Sequence, residues 1–176
     1  MKLYKICLIF IILILLFYGC ENKKKKSKYG LKTESVSVAK DTLILKGVNF
    51  YNNKSGKLSW ELNAKIARIN KNKGIANLKN VLIKFKKENI KITSNQGIYY
   101  LKTKDGVVYD NVTVTSEAWK ISTDKILIKN KKKLIEITAP FVLKGKNFYL
   151  KGRSIKIFLN EKIFFIRGRV ESLWKK

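Results

Sequence analysis

Histidine is absent from this chain, and cysteine occurs only twice, as Cys7 and Cys20. Both cysteines lie within or at the end of the first apolar run, so the rest of the chain has none to form a disulfide. Without histidine there is no Ser-His-Asp triad, no Cys-His nucleophilic site and no His-ligated metal site. These absences exclude most hydrolytic and metal-dependent enzyme classes.

Acidic residues are also scarce. The chain has 12 Asp and Glu against 39 Lys and Arg, which gives a formal net charge of +27. The carboxylates are scattered singly, so the sequence offers neither a pair for acid–base catalysis nor a cluster for a Ca²⁺ loop. We therefore predict that the protein is not an enzyme and has no metal or other cofactor.

The positive charge comes almost entirely from lysine, since only four of the basic residues are arginine. One interpretation is an anionic partner, such as a phosphorylated lipid, a membrane surface or a nucleic acid. The other is a compositional bias that places lysine on the solvated faces of strands, because lysine occupies nearly every outward position of the alternating pattern. Charge alone does not decide between them.

The N-terminus has the organisation of an export signal. Two lysines precede an apolar run over residues 6–18, which has the length of a signal-peptide core and is short for a spanning helix of about 20 residues. The run ends in FYGC, which resembles a bacterial lipobox with Cys20 as the lipidated residue, although the two aromatic residues fit that pattern less well. The alternative is an uncleaved single-pass anchor. Either predicts an exported domain held at a membrane, and neither favours a nucleic-acid partner.

Three segments follow from these patterns. Residues 1–20 are the signal or anchor segment, and residues 21–35 are a basic flexible tether because they are charged and have no apolar period. Residues 36–176 form one domain, long enough to bury a core.

The domain alternates in hydropathy with a period of two and has no sustained helical period. This pattern indicates strands with one buried and one solvated face, and many short strands joined by polar turns indicate an antiparallel sandwich or barrel. A weak repeat of about thirty residues is also visible, a length typical of stacked supersecondary units. It is carried by Asn80-Val81, Asn111-Val112, Pro140-Phe141 and Arg169-Val170.

Between residues 43 and 172 the chain resembles the lipopolysaccharide export protein LptC family, within the wider group of OstA-like domains. The matching elements are WELNA at 60–64, SNQG at 94–97, DNV at 110–112, PFVLKG at 140–145 and LKG at 150–152. The lipobox-like Cys20 is a departure, because that family is typically held by an uncleaved helix.

The resemblance implies an all-β fold: a single twisted, open β-jellyroll of antiparallel strands with an apolar interior. It implies a non-catalytic protein on the periplasmic side of the inner membrane that receives lipopolysaccharide from an ABC transporter and passes it along a periplasmic bridge. Open strand edges would pair with the neighbours by strand addition. The leading edge, for the transporter, is expected between Thr42 and Phe50, and the trailing edge, for the bridge protein, between Lys162 and Val170.

An apolar groove for acyl chains is the lipid-binding site that this fold implies. Its predicted lining residues are Val81, Ile83, Phe85, Ile98, Val112, Val114, Trp119, Ile121, Ile128, Phe141, Leu143, Phe148 and Ile157. The same residues fit an ordinary closed core equally well. A structural or interaction lipoprotein with a closed β-sandwich and no lipid cargo is therefore the alternative function.

Overall fold

The computed structural model describes residues 27–39, 41–54, 57–161 and 163–174, and this part of the chain is built from strands and turns. The strands are β1 (Ser27–Lys32), β2 (Ser35–Ala39), β3 (Thr42–Lys54), β4 (Lys57–Asn70), β5 (Ile75–Phe85), β6 (Ile90–Tyr100), β7 (Gly106–Thr115), β8 (Trp119–Lys129), β9 (Leu134–Ile137), β10 (Phe141–Gly145), β11 (Phe148–Gly152), β12 (Ser154–Phe158), β13 (Ile163–Arg167) and β14 (Glu171–Trp174). All of them pair antiparallel in one sheet. The predicted all-β class and open antiparallel jellyroll are confirmed.

The sheet is a single path in its middle and forks at both ends. Strands β3 to β8 follow one another as neighbours. The first half of β8 then pairs with β10 and the second half with β9, which begins the branches β10–β11–β14 and β9–β12–β13. At the other end, β2 pairs with the first half of β3 and β1 with the second half. Each long strand therefore belongs to two half-sheets.

A line of irregular residues crosses the long strands where the two half-sheets meet, and we call it the fold line. The regular pairing is interrupted on this line in every strand from β3 to β8. An extra or unpaired residue at such a point bends the strand and increases its twist. The residues on the line are Gly47, Lys65, Asn80, Asn95, Asp110, Asn111 and Asp124.

Local sequence accounts for the bend. Asn80, Asp110 and Asn111 have φ angles of 52°, 66° and 55°, in the left-handed region that Asn and Asp tolerate better than β-branched residues do. Side-chain hydrogen bonds bridge the interruptions: the Ser94 hydroxyl donates to the carbonyl of Gln96 at 2.9 Å, and the Thr123 hydroxyl donates to the carbonyl of Pro140 at 2.9 Å. The bend is thus encoded by polar residues inside otherwise apolar strands.

The fold line divides the sheet into two arms. Arm one consists of residues 35–39, 41–46, 66–79, 96–109, 125–137, 154–161 and 163–167, and arm two of residues 27–32, 48–54, 57–64, 81–94, 112–123, 141–152 and 171–174. Their inner faces pack against each other and form the core. The hairpin turns of both arms lie opposite the fold line and border the mouth between the arms.

The thirty-residue repeat has a structural explanation. Asn80-Val81, Asn111-Val112, Pro140-Phe141 and Arg169-Val170 all stand where the chain crosses, or has just crossed, from arm one to arm two. One repeat therefore contributes two paired strand segments to arm two and then two to arm one. The units lie side by side in one bent sheet, since each pairs with the next through backbone hydrogen bonds.

Two expectations about the ends of the sheet need correction. The leading edge is not the segment between Thr42 and Phe50, because β3 pairs with β4 on one side and with β1 and β2 on the other. The sheet also begins earlier than expected: β1, Ser27–Lys32, lies within the segment interpreted as a tether. The trailing segment agrees better with its prediction, since β13 pairs with β12 alone among the described strands.

The predicted signal or anchor segment, residues 1–20, and with it Cys20, lies outside the described residues. In the part of the chain that the structure does describe, no helix has the length and hydropathy needed to cross a membrane.

Candidate functional site

The candidate site is the inner face of the two arms. In each arm the side chains alternate between this face and solvent, and the inward set is almost wholly apolar. The most deeply buried members come from both arms and include Leu45, Ile92, Val114, Ile121, Ile126, Ile135, Ile137, Ile155 and Ile157. The face is a continuous apolar surface that spans the molecule, with no charged side chain buried among its described residues.

Most of the predicted groove residues lie on this inner face. Ten of the thirteen are buried and belong to the core, with exposures of 7% or less: Val81, Ile83, Phe85, Val112, Val114, Ile121, Ile128, Phe141, Leu143 and Ile157. They are contributed mainly by arm two, with Ile128 and Ile157 from arm one. The structure thus brings these side chains together, and their role in binding lipid stays a prediction.

Trp119 and Phe148 are half-buried at the margin of the core. The Trp119 ring in arm two meets the Phe164 ring of β13 in arm one edge to face, with centroids 5.2 Å apart. The Phe148 ring lies 5.6 Å from the Trp174 ring of β14. Trp119 therefore bridges the two arms, whereas Phe148 contacts the last strand of its own arm.

The placement of Ile98 on the inner face is wrong. Strand β6 places Ile90, Ile92 and Ser94 inward, but Asn95 and Gln96 are both exposed, and the inward positions resume at Gly97 and Tyr99. The register shift between Thr93 and Gln96 reverses the alternation, so Ile98 lies on the outer face, opposite the exposed Asn77. A strict period of two cannot be continued through a bulge.

Three aromatic residues at the mouth were not predicted as site residues. The Tyr99 ring of arm one contacts two rings of arm two, Phe50 at 5.1 Å and Trp60 at 6.2 Å between centroids. Burial, with smaller contributions from Tyr29 and Asp105, raises the pKa of Tyr99 well above its ordinary value, so the ring stays neutral. The alternation of Leu58, Trp60 and Leu62 in the sequence indicates that Trp60 faces inward. The inward position of Tyr99 does not follow from alternation, because the bulge in β6 reverses the pattern before Gly97.

Trp60 has an unusual feature at this site. Its indole Nε1 is buried and has no hydrogen-bond partner among the described residues. An unpaired buried donor costs about 1–3 kcal/mol, so it is rarely retained without a reason. A ligand with a carbonyl oxygen would satisfy this donor.

Two openings lie between the arms at the mouth. The smaller has a volume of about 20 Å³ and is bordered by Trp60, Phe85 and Tyr99 together with Lys104 of the turn before β7. The larger has a volume of about 250 Å³ and lies between the turns 86–90 and 116–118 of arm two and the end of β12 in arm one. Elsewhere along the described inner face, side chains such as Ile121, Ile126 and Ile155 are fully buried.

The inner face is built from apolar side chains and not from groups that bind metals. Within the described ranges, no group of three or more His, Cys, Asp or Glu residues is placed to hold a metal ion. The inner face presents hydrocarbon and aromatic rings, which suit the burial of acyl chains at about 0.8 kcal/mol per methylene.

Comparisons with known proteins agree with this geometry. The family described as "Lipopolysaccharide-assembly, LptC-related" matches residues 7–173. Among solved structures, the chain is similar to LptH from Pseudomonas aeruginosa, described as the LptA homologous periplasmic component of the conserved lipopolysaccharide transport device. That similarity has a TM-score of 0.56 at 11% identity and covers 66% of this chain and 95% of that one, so it supports the fold.

Comparison with curated proteins gave no match. The family assignment therefore depends on the match over residues 7–173, which spans both arms of the sheet and the region that precedes it. Members of this family act in lipopolysaccharide transport and are not enzymes, in agreement with the apolar, non-catalytic inner face. The chain belongs to the LptC-related family of lipopolysaccharide-assembly proteins.

Proposed function

We propose that this protein is held at the inner membrane, receives lipopolysaccharide from an ABC transporter, and passes it along a bridge of β-jellyroll domains through the periplasm. The observation that carries this proposal is a bent sheet with an apolar inner face and an incompletely paired edge at each end. The inner face provides a path for acyl chains, and the edges provide contacts with the preceding and following proteins.

Acyl chains would enter where the arms meet least tightly. The opening of about 250 Å³ lies beside the Trp119–Phe164 contact, which joins the arms through one edge-to-face ring pair. Such a pair contributes about 0.5–1.5 kcal/mol beyond its burial, a small barrier to separation of the arms. We expect the arms to part here first, and the unpaired Trp60 Nε1 at the smaller opening to donate to an ester or amide carbonyl of the lipid.

The edge strands support the assembly part of the proposal. At the N-terminal end, Val36 and Val38 of β2 are exposed, and at the C-terminal end Phe165 of β13 and Trp174 of β14 are exposed. Exposed apolar side chains on incompletely paired strands favour strand addition by a partner. We assign the edge formed by β1 and β2 to the transporter and the edge of β13 and β14 to the next bridge domain.

A crosslinking experiment in cells tests the assignment of the edges. A photoreactive residue at Val38 is expected to capture a transporter subunit, and one at Phe165 is expected to capture the bridge protein. Capture of the same protein from both ends, or of neither, would contradict the assignment.

The membrane attachment is proposed from the sequence, either as an uncleaved anchor or as a lipidated Cys20. Metabolic labelling with a radioactive fatty acid distinguishes them. Incorporation that disappears in Cys20→Ala indicates a lipoprotein, whereas no incorporation in either protein, with both found in the inner-membrane fraction, indicates an anchor.

Photocrosslinking also tests the lipid path. The reactive residue is placed at Trp119 and at Phe141 on the inner side, and at the exposed Lys125 as the control. Lipopolysaccharide adducts are expected at the two inner positions and not at Lys125. Folded protein that yields no adduct at either inner position would refute the path.

A structural lipoprotein with no lipid cargo is the second candidate. It is favoured by the tightness of the inner face, where Ile121, Ile126 and Ile155 are fully buried by contact between the arms. This function would be supported if Trp119 and Phe141 give no lipopolysaccharide adduct while Val38 and Phe165 still capture partner proteins.

A further inference from the structure

A basic concavity lies mainly on the outer face of arm two, and Phe148 at the margin of the apolar core lines one part of it. Its volume is about 450 Å³. We call it the basic pocket and define it by its lining residues, Lys144, Gly145, Lys146, Phe148, Tyr149, Lys151 and Leu173. Strand alternation explains its composition: Leu143 is buried, so Lys144 faces outward, and Tyr149 and Lys151 alternate with Leu150, which packs on the core.

Lysines are brought face to face beside this pocket. The register of β8 and β10 places Lys120 directly opposite Lys144, and both side chains are exposed on the outer face. Like charges directly opposite each other destabilise a sheet. Within the described part of the chain, neither lysine has an ion-pair partner.

Two lysines elsewhere in the sheet are matched with acidic residues across the strands. Lys84 lies opposite Glu61 and Lys156 lies opposite Glu136, and in both pairs the Nζ to Oε1 distance is 3.0 Å. The acidic residue nearest in register to the basic pocket is Glu171 of β14, which lies opposite Lys151 without forming an ion pair with it. The positive charge of the pocket is therefore left largely uncompensated by the protein.

The cations converge on one aromatic ring. The Nζ of Lys144 lies 5.9 Å and the Nζ of Lys151 lies 5.6 Å from the centroid of Tyr149. Ammonium groups form strong charge-assisted hydrogen bonds with phosphate oxygens, and a tyrosine ring presents a flat apolar face to a ligand ring. The pocket thus combines several ammonium groups that can donate hydrogen bonds to a phosphate with an aromatic surface on which a sugar can pack.

We propose that the basic pocket binds a phosphorylated sugar, with the phosphate held by Lys144, Lys146 and Lys151 and the sugar ring packed on Tyr149. The phosphate can be carried by a lipid headgroup or by a soluble sugar phosphate, since the recognising chemistry is the same. The three lysines and Tyr149 lie on the opposite face from the proposed lipid path, and binding to them does not require that the inner face carry acyl chains.

Calorimetric titration of the full-length chain in neutral detergent tests the proposal. The soluble probes are glucosamine 6-phosphate, with glucosamine as its phosphate-free control, and inorganic phosphate. The lipid probe is monomeric dihexanoyl phosphatidic acid, with dihexanoyl phosphatidylcholine as its control. The test protein carries Lys144→Gln, Lys146→Gln and Lys151→Gln, and the matched control loses the same charge through Lys46→Gln, Lys65→Gln and Lys125→Gln, which are exposed elsewhere.

We expect wild type to bind glucosamine 6-phosphate more tightly than inorganic phosphate, and the test triple to lose at least tenfold in affinity while the control triple loses less than twofold. Tyr149→Leu is expected to remove the preference for the sugar phosphate and to keep phosphate binding. Loss confined to phosphatidic acid would overturn the assignment of a sugar phosphate, because this lipid carries a phosphate and no sugar ring. Equal losses in both triples, or no binding of any phosphate by wild type, would overturn the proposal.

Discussion

The middle and the ends of this sheet share one sequence pattern and have different surfaces. Strands β4 to β8 are paired on both sides, and their inward residues, such as Ile92, Val114 and Ile121, are fully buried. The terminal strands β1, β2, β13 and β14 have four to six residues, and apolar side chains such as Phe165 and Trp174 are 54% and 73% exposed. Alternation therefore predicts which residues share a face, but burial requires an opposing arm and two neighbouring strands.

The largest expected difference between the two regions is in core truncation. Ile121→Ala in the middle should lower the free energy of unfolding by about 2–5 kcal/mol, because the cavity forms where both arms are in contact. Leu173→Ala at the end should change it by less than about 0.5 kcal/mol, because this side chain is 68% exposed. Equilibrium urea unfolding followed by tryptophan fluorescence measures both. Similar losses for the two variants would show that the end is as well packed as the middle.

A second comparison uses two glycines. A Cβ added at Gly152 in β11 would lie 2.8 Å from the Cε1 and Cζ atoms of Phe141, a buried ring, whereas one at Gly106 in β7 would come no closer than 3.6 Å to the Ile98 carbonyl oxygen. Gly152→Ala should therefore destabilise the protein by about 1–3 kcal/mol through overpacking, and Gly106→Ala should cost clearly less. The same unfolding assay gives the result. If Gly152→Ala leaves the free energy of unfolding unchanged, strands β10 and β11 can move apart enough to accommodate the added methyl group.

The fold line provides a third test, because it is what makes two arms from one sheet. Asn80→Val places a β-branched residue at a φ of 52° and should cost about 1–3 kcal/mol, whereas Asn80→Gly should be tolerated. Asn77→Val, at an exposed position of the same strand, is the control and should be nearly neutral. If Asn80→Val and Asn77→Val behave alike, the left-handed conformation at the fold line is not required.

The smallest expected effect concerns the Glu61–Lys84 pair on the outer face. Burial acts to raise the pKa of Glu61, but the hydrogen bond and charge of Lys84 outweigh it, so the pKa lies below 4.5 in the folded protein. The pair therefore contributes stability above the unfolded-state pKa and loses it as the pH falls through the folded value. Lys84→Gln should cost under about 1 kcal/mol at pH 7, and this difference from wild type should shrink below pH 4.5. A difference that is constant from pH 7 to pH 3 would exclude the ion pair as its cause.

The candidate site shows how far sequence reasoning reaches. Val112, Val114, Ile121 and Phe141 lie inward because each stands in a short run whose alternation is unbroken by a bulge. Ile98 was placed wrongly because the two exposed residues before Gly97 reverse the alternation. Sequence spacing alone does not distinguish a bulged strand from a regular one.

The edges show the same limit. A run such as 43–50 has the pattern of a strand wherever it stands in the sheet, so its sequence could not show that β1 and β2 would cover it. The strand β1, Ser27–Lys32, is short and contains two lysines, and it pairs with the second half of β3.

Composition and local period are enough to predict the all-β class, the lack of catalytic and metal-binding residue sets, and most of the inward-facing side chains. The position of the bend, the strands that remain at the edges and the closeness of the two arms become visible in the three-dimensional structure alone. Those features depend on left-handed residues at matching positions of the alternate strands β3, β5 and β7, and on contacts between residues far apart in the chain, which no local pattern records.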